Sequence, residues 1–319
     1  MLQANSIKEF NPQQNKIFTI INPVSSNGKT GKRWPAYEQK FKKAKLNLDI
    51  NETLYPGHAV NLTKTALNDG YKTIMAVGGD GTVNEIVNGF YQDGQLINQE
   101  AVLLVFSQGT GSDYIKSLGL NKSIETVINT YKKYERKWVD IGKMKYLNFD
   151  EKEVERYFVN EADVGIGGET VEYVNRSSKL MGGLLTYLIG AIRTVVKYDN
   201  KDMKLTIDGE VIKEGLINSV MVSLGKYFAG GMPIAPQAVI DDGLFDIVIL
   251  GNLTKLETLL NLYKAYRGTH IDYHKIDYLK GKEIKIDSKD RVLIDIDGES
   301  AGLLPAEFKI LKKAFPVLV

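Results

Sequence analysis

The sequence predicts an N-terminal α/β domain with a parallel sheet, followed by a C-terminal antiparallel β domain. A length of 319 residues with 43% hydrophobic content is enough for one large or two moderate domains with a real core. As far as Lys137, predicted strands alternate with predicted helices, which is typical of a parallel sheet covered on both faces. After Lys137 the apolar runs become short and alternate with polar residues, which favours an antiparallel sandwich or barrel.

The first domain repeats the order strand, loop and helix. An apolar run beginning at Thr73 predicts its central strand. Further strands are expected at 16–22, 48–54 and 101–106, and helices at 34–45, 58–68, 83–91 and 123–134. Ligands of such sheets bind beyond the carboxyl ends of the strands, so three loops should converge there: 22–28, 78–82 and 108–113.

The second domain is predicted from shorter runs. Strands are expected at 138–145, 155–164, 203–207, 220–224, 245–250, 276–278, 283–286 and 292–296. Two helices interrupt them, at 178–196 and 255–267. The tail 308–319 predicts one more strand, broken at Pro316.

Composition excludes several classes of function. Lys and Arg number 41 against 39 for Asp and Glu, so a net charge of +2 gives no overall field that would favour nucleic acid as a partner. The chain has no cysteine, which excludes disulfides, zinc-thiolate sites and thiol catalysis. The three histidines show neither paired metal spacing nor a neighbouring nucleophile.

Two further patterns concern membranes. Residues 1–15 are polar and lack the apolar core of a secretion signal, and the longest apolar stretch, 180–192, is shorter than the ~20 residues needed to span a bilayer. A soluble or peripheral protein is therefore expected. Residues 29–45 carry seven basic residues against Glu38 alone. This basic cluster is either the solvated face of a helix or a patch for anionic lipid headgroups.

The strand at Thr73 runs into a glycine-rich turn, Gly78-Gly79-Asp80-Gly81-Thr82. Its glycines let a ligand approach the backbone, and Thr82 can cap the helix expected after it. Main-chain N–H groups at the positive end of a helix dipole suit phosphate oxygens. Asp80 does not suit an anion by itself, but it has a use if it orients Mg²⁺, a water or a reacting hydroxyl. The alternative is an ordinary strand-to-helix turn.

The segment 23–30 is one residue away from a phosphate-binding P-loop, because Pro23 stands where that motif has its first glycine. Proline supplies neither the φ freedom nor the N–H that the P-loop uses. A loop that lies against phosphate through Ser25 and Ser26 is therefore preferred to a true P-loop.

Three acidic turns are further candidates. Asp297-Gly298-Glu299 follows a strand, and its glycine lets two carboxylates address one spot. A general base needs a carboxylate within hydrogen-bond reach of the hydroxyl that it deprotonates; the alternative is a turn with solvated acids. Asp241-Asp242-Gly243 has the same ambiguity, although adjacent carboxylates with loop carbonyls also fit Mg²⁺. The third loop, 109–113, offers backbone donors, a hydroxyl and Asp113.

Taken in order, these motifs resemble the diacylglycerol kinase catalytic family of soluble bacterial lipid kinases, which are related to sphingosine and ceramide kinases. The G-G-D-G-T turn alone is also similar to NAD kinases. The ordered set comprises Asn22-Pro23, Thr53, the 56–59 segment, the G-G-D-G-T turn with Asn84-Glu85, the 109–113 loop, 179–187, 229–231, Pro236 and Ala238, 241–243 and 297–299. The chain departs from the family pattern at Ser112, usually Asn, and at Gly168-Glu169, often Asp-Ala.

The resemblance implies an NAD kinase/diacylglycerol kinase-like α/β domain at 1–135, to which 306–319 returns, and a β-sandwich domain at 136–305 that binds the lipid substrate. It implies Glu299 as the proton acceptor, with Asp297, Asp80 and Asp113 arranging water and a catalytic Mg²⁺. A structural Mg²⁺ is implied on Asp242 and the carbonyl groups of Val239 and Leu244. Implied ATP-binding residues are Asn22, Pro23, Val24, Ser25, Ser26, Thr53, Gly79, Asp80, Gly81, Thr82, Val83, Asn84, Glu85 and Thr110.

The leading functional hypothesis is therefore transfer of the ATP γ-phosphoryl group, with Mg²⁺, to a lipid hydroxyl, above all from diacylglycerol to phosphatidic acid. The alternatives are an NAD kinase and a nucleotide-binding protein without catalysis. The resemblance further implies a cytoplasmic protein in peripheral contact with the inner membrane surface. The expected partner is a lipid substrate at the membrane surface, and the net charge favours no nucleic acid. Whether the chain forms a homodimer is left open.

Overall fold

The computed structural model describes residues 16–109, 111–176 and 183–319. Several expectations from the sequence fall wholly or partly outside them. These are the polar segment 1–15, Thr110, the first part of the helix expected at 178–196, and with it parts of the 179–187 motif and of the apolar stretch 180–192. Within the described ranges, no helix is both long and apolar enough to cross a membrane.

The N-terminal half is the expected α/β unit. In chain order its elements are β1 (Ile17–Ile21), α1 (Lys29–Lys43), β2 (Leu48–Glu52), α2 (His58–Asn68), β3 (Thr73–Gly78), α3 (Asp80–Gly89), β4 (Tyr91–Gln92), β5 (Gln95–Leu96), β6 (Val102–Ser107), α4 (Asp113–Ser117) and α5 (Ile124–Lys133). Strands β2, β1, β3 and β6 pair in that order, all parallel. Apolar side chains of α2 and α3 cover one face of the sheet, and those of α1 and α5 cover the other.

The C-terminal half is mainly antiparallel. Its elements are β7 (Arg136–Leu147), β8 (Glu153–Phe158), β9 (Glu161–Gly165), α6 (Ile166–Arg176), α7 (Gly183–Lys197), β10 (Lys201–Ile207), β11 (Glu210–Ile217), β12 (Ser219–Ser223), β13 (Phe245–Leu250), α8 (Lys255–Ala265), β14 (Ile276–Gly281), β15 (Glu283–Ser288), β16 (Leu293–Ile296) and β17 (Glu299–Leu318). The inner faces of these strands enclose one large apolar core. The predicted fold class is therefore confirmed.

One long strand joins the two halves. β17 pairs with β16 and β15 near its start, with β7 along most of its length, and with β6 at Val317, which lies beside Leu103 in parallel orientation. The sheet therefore runs continuously from β14 to β2. The domain boundaries at 135 and 305 stay a prediction.

Two expected strands have different limits in the structure. The strand expected at 155–164 is divided into β8 and β9, because the N–H groups of Val159, Asn160 and Glu161 donate to the Asp297 carboxylate instead of continuing a ladder. The tail strand begins at Glu299, and Pro316 does not break it, since Pro316 still lies opposite Trp138 after a bulge at Leu311 to Phe315. Helices α4 and α6 and strands β4, β5 and β11 were not predicted. Helix α3 begins at Asp80, directly after Gly79, so Thr82 lies inside this helix and does not cap it as expected.

Candidate active site

The three loops expected at the carboxyl edge of the parallel sheet do meet there. The Asn22 amide donates to the Thr82 hydroxyl (3.1 Å), and the Gln108 N–H donates to the Gly78 carbonyl (2.7 Å). A Cβ at Gly109 would lie 2.6 Å from the Gly79 Cα. The second and third loops therefore touch backbone to backbone, which only glycine permits.

Asp80 begins α3 and faces the third loop. Its carboxylate accepts hydrogen bonds from the N–H groups of Asp113 (3.2 Å) and Tyr114 (3.3 Å). Burial in the cleft raises the pKa of Asp80 to about 6, and the Asp113 carboxylate adds to the shift. Asp80 therefore holds its charge in place with two backbone donors and is also poised to lose it in mild acid.

The Asp113 carboxylate links the third loop to the C-terminal half. One oxygen accepts from Lys116 Nζ (2.9 Å), and the other accepts from the N–H of Gly230 (2.8 Å). A Cβ at Gly111 would lie 3.1 Å from Asp113 Oδ2 and 3.3 Å from Asp80 Oδ2. The two carboxylates therefore lie beside each other, next to Gly111.

Asp297 is saturated with hydrogen bonds. Its carboxylate accepts from the N–H groups of Val159 (3.2 Å), Asn160 (3.1 Å) and Glu161 (2.9 Å), and from the Asn84 amide (2.7 Å). The residue is buried. Because Asn84 belongs to α3, this carboxylate fixes the C-terminal half to the glycine-rich turn.

Glu299 lies against the same turn from the other side. Its carboxylate packs on the Gly81 backbone, so that the end of the Glu299 side chain would have to shift to admit a Cβ at 81. Oε2 accepts from Arg156 Nη2 (2.5 Å), and the same guanidinium donates through Nε (2.8 Å) and Nη2 (2.6 Å) to Asn84 Oδ1. The side chain keeps 39% of its exposure, so Glu299 is both oriented and accessible.

Arg156 is a site residue that the sequence analysis missed. On β8 it lies on the same face as Val154 and Phe158, which both pack on the C-terminal core. An arginine at an inward position of a strand is unusual, because burying its charge requires a partner. An arginine between two apolar residues, at every second position of a strand, was the signal that could have found it.

The remaining residues of the implied nucleotide site divide into two groups. In the first loop, the Ser25 hydroxyl donates to the Asn22 carbonyl (2.9 Å) and lies 2.6 Å from the Thr30 hydroxyl, so it braces the turn that contains Pro23, Val24 and Ser26.

The second group contacts the loop before α2. Glu85 accepts from the N–H groups of Gly57 (2.9 Å) and Ala59 (3.1 Å). Thr53 N–H donates to the Ile21 carbonyl (2.8 Å). Glu85 and Thr53 thus position the loop before α2, while Val83 is buried in the core.

The implied structural Mg²⁺ site has protein partners in the structure. Asp242 Oδ2 lies 3.0 Å from Lys280 Nζ, and its Oδ1 accepts from the Leu244 N–H (3.0 Å). Lys280 also lies 3.5 Å from the buried Asp246. A lysine therefore neutralises this loop, and a metal ion on Asp242 with the Val239 and Leu244 carbonyls stays a prediction.

The donor set at Asp80 and Asp113 is compatible with Mg²⁺. Among the described residues, no cluster of three or more His, Cys, Asp or Glu side chains forms a closed metal cage. Mg²⁺ in kinases usually takes one or two carboxylates, with phosphate oxygens and water completing its shell. Two adjacent carboxylates opposite a phosphate-type turn therefore fit the ion better than a closed cage would.

A row of buried carboxyl groups leads away from Asp297. Glu161, Asp163 and Asp295 are buried on the same sheet face, where Asp295 lies directly opposite Asp163. Asp163 accepts from the Ser219 hydroxyl, and burial raises its pKa to about 7. Burial and the neighbouring acids also raise the pKa values of Glu161 and Asp295. Such groups avoid the cost of burial by taking up protons.

An apolar cavity continues from this row. It lies between the outer face of the C-terminal sheet and the helices α6, α7 and α8, and its cavity volume is about 70 Å³. Asp163 and Gly167 line the end nearest the acidic row, and Val195, Met221 and Leu262 line the walls. The site thus adjoins a space suited to a hydrocarbon group.

Two family models together match nearly all of the described chain. The model for the diacylglycerol kinase catalytic domain matches residues 16–144, and that for the YegS C-terminal NAD kinase beta sandwich-like domain matches residues 160–319.

Individual relatives agree with the family models. A diacylglycerol kinase from Staphylococcus carnosus (strain TM300) is 31% identical over 93% of this chain and 93% of its own length. One from Bacillus subtilis (strain 168) is 29% identical over 94% and 95%. A solved structure of a diacylglycerol kinase from Bacillus anthracis str. Sterne has the same fold, with a TM-score of 0.68 at 23% identity over 95% of this chain and 96% of that one. The chain therefore belongs to the diacylglycerol kinase family and is a nucleotide-dependent kinase whose phosphoryl acceptor is an alcohol group.

Proposed function

We propose that this kinase transfers the γ-phosphoryl group of ATP, with Mg²⁺, to the hydroxyl of a lipid, and that diacylglycerol, which becomes phosphatidic acid, is the preferred acceptor. The observation that carries the proposal is the placement of the Glu299 carboxylate on the Gly81 backbone. A base from one half of the molecule meets a phosphate-type turn from the other. The names of the relatives support diacylglycerol as the acceptor.

The N-terminal edge would hold the nucleotide. The turn at Gly79 to Thr82 offers its N–H groups at the start of α3, where the helix dipole favours phosphate oxygens. The first loop, tied to Thr82 through Asn22, closes the other side. Asp80 and Asp113 would bind Mg²⁺, which when bound neutralises the developing phosphate charge.

Glu299 would act as the general base. A carboxylate cannot fully deprotonate an alcohol in the ground state, but it can accept the proton as the bond to phosphorus forms. Arg156 fixes the direction of the carboxylate through Oε2 and is a positioning residue. The Asp297 carboxylate already accepts four hydrogen bonds, which leave it little capacity for a reacting group. It would therefore anchor the turn that carries Glu299.

The apolar cavity supports a lipid acceptor. A hydrocarbon chain in this space would be removed from water, which is favourable by about 0.8 kcal/mol for each CH₂ group. A soluble dinucleotide acceptor has no use for walls such as Val195, Met221 and Leu262. The cavity therefore favours the lipid kinase over the NAD kinase alternative.

A panel assay tests the proposal. The protein is incubated with γ-labelled ATP and Mg²⁺ and with diacylglycerol, a sphingoid base, undecaprenol or NAD in separate reactions. We expect label in phosphatidic acid, and none when Mg²⁺ is chelated. Label in NADP, or no transfer to any lipid, would contradict the proposal.

A further inference from the structure

The outward faces of α7 and α8 carry a stripe of large apolar side chains. Ile192 and Val196 are one turn apart on α7, and Leu256, Leu260 and Tyr263 follow one face of the adjacent α8. Their exposure ranges from 48% at Ile192 to 67% at Leu256. Single exposed apolar residues are ordinary, but five on two neighbouring helices mark a surface that contacts something else.

Basic residues border this stripe. In the stretches 189–197 and 255–267, Glu257 is the single acidic residue, against Arg193, Lys197, Lys255, Lys264 and Arg267. The Glu257 carboxylate is turned toward Lys275 Nζ (2.8 Å), and Lys255 pairs with the exposed Asp199 (3.0 Å). The border therefore keeps a net positive charge, in a chain whose overall charge is only +2.

We propose that the α7–α8 face, defined as Ile192, Val196, Leu256, Leu260 and Tyr263 with its basic border, docks on the surface of an anionic lipid bilayer. Its apolar stripe would enter the headgroup region, and its cations would lie at the level of the anionic headgroups. The same two helices line the apolar cavity with Val195 and Leu262. A face seated on the bilayer would thus set the cavity above its source of acceptor, an orientation that rests on the proposed function.

The basic cluster of residues 29–45 fits this role less well. Only its first turn lies at the active-site edge, because α1 runs back along the sheet. The Asn47 carbonyl, soon after the end of α1, accepts from the Ile17 N–H at the opposite end of β1, about 16 Å from the active-site edge. Lys42 pairs with Glu38 (2.5 Å) and Lys40 approaches Glu125 (3.7 Å). The large apolar side chains of α1, Trp34 and Phe41, are buried. This helix therefore offers charge without an apolar stripe.

Vesicle co-sedimentation without nucleotide tests the face. Full-length protein is mixed with phosphatidylcholine vesicles that contain or lack phosphatidylglycerol. The double variant Leu256→Ser/Leu260→Ser should weaken partitioning at least about tenfold, since two exposed leucines lose their burial in lipid. The double variant Val211→Ser/Leu216→Ser, at exposed apolar positions of the edge strand β11, is the matched control and should bind as wild type.

A charge variant separates the electrostatic contribution to vesicle binding from the apolar contribution. Lys197→Gln/Arg267→Gln should weaken binding to vesicles with phosphatidylglycerol by about tenfold or more, leave the weak binding to pure phosphatidylcholine unchanged, and reduce the salt dependence. Wild-type binding by the leucine variant, or equal loss in the β11 control, would overturn the proposal. So would a wild-type dimer that the leucine variant converts to a monomer, because the face would then join two copies of the chain.

Activity on a short-chain diacylglycerol below its micelle concentration distinguishes this inference from the proposed function. The leucine variant should phosphorylate that monomeric acceptor at the wild-type rate and lose activity only on vesicles. If wild type phosphorylates no lipid while vesicle binding follows the expected pattern, the proposed function fails and the docking face stands.

Discussion

Two aspartates from opposite halves of the molecule lie at the candidate active site, and their surroundings differ. Asp80 accepts two backbone hydrogen bonds at the parallel-sheet edge and lies beside Asp113. Asp297 accepts four hydrogen bonds inside the antiparallel half and is buried. A carboxylate in an Asp-Gly turn can bind a further ligand only if its hydrogen-bond donors leave it spare capacity. Asp297 anchors the cleft, whereas Asp80 and Glu299 face it.

The largest expected effect is the loss of activity in Asp80→Ala. The substitution removes a carboxylate that we propose binds Mg²⁺, so it should abolish phosphoryl transfer while leaving the melting temperature close to wild type. Turnover of labelled ATP and a thermal melt measure both. A variant with near wild-type turnover would show that this turn is only structural.

The second largest effect is expected for Glu299→Gln, which should lower kcat by roughly a hundredfold or more and leave KM for ATP nearly unchanged. Glutamine keeps the size and the contact with Arg156 but removes the basicity, and general-base catalysis usually spans this range. Steady-state kinetics with varied ATP decide the matter. Intact kcat with weakened ATP binding would assign Glu299 to nucleotide or metal binding.

Asp297→Asn should act on stability. An amide presents its NH₂ group to N–H donors that now bind a carboxylate oxygen, so the free energy of unfolding should fall by about 2–4 kcal/mol. Urea unfolding measures it, with Asp80→Asn as the matched control, since only two donors are disturbed there. Equal losses in both variants would remove the distinction between anchor and reactive group.

The pH dependence should reflect Asp80. Burial raises its pKa to about 6, so below that pH the protonated form dominates and kcat/KM should fall about tenfold for each pH unit. The sign for stability is opposite: the folded chain holds this proton more tightly than the unfolded chain, so lowering the pH through about 6 stabilises the fold. A rate that stays constant down to about pH 5 would contradict this assignment.

The smallest effect is expected for Lys29→Ala. Lys29 is exposed at the start of α1, and the loop before it is no P-loop, so KM for ATP should rise only several-fold. Initial rates at varied ATP test this, with Lys32→Ala beside it as a control. A collapse of kcat by about a thousandfold would revive the P-loop interpretation.

The nucleotide edge could be predicted from the sequence because its polar residues directly follow apolar strands. Asn22, Asp80 and Asp113 each come after a strand of the parallel sheet, and parallel strands bring such positions to one edge. Local pattern and one topological rule were enough to place them together.

The side of the site that the C-terminal half contributes could not be predicted in the same way. Arg156 and the row from Asp297 to Asp163 reach the site through strand pairing across long stretches of sequence, and an isolated strand pattern does not specify its partner. Gly230 reaches the site from the loop between β12 and β13. The division of β8 from β9 has the same cause, since it depends on a carboxylate more than a hundred residues away. Lys280 beside Asp242 is a further example.

The path of β17 has a consequence for synthesis on the ribosome. Strand β6 finds its outer neighbour only at Val317, which is made after the whole antiparallel half. While the whole antiparallel half is being translated, the nascent parallel sheet therefore carries an open edge, and open edges invite pairing with other chains. Truncating the chain before Val317 should thus impair the nucleotide half, although Val317 is far from β6 in the sequence.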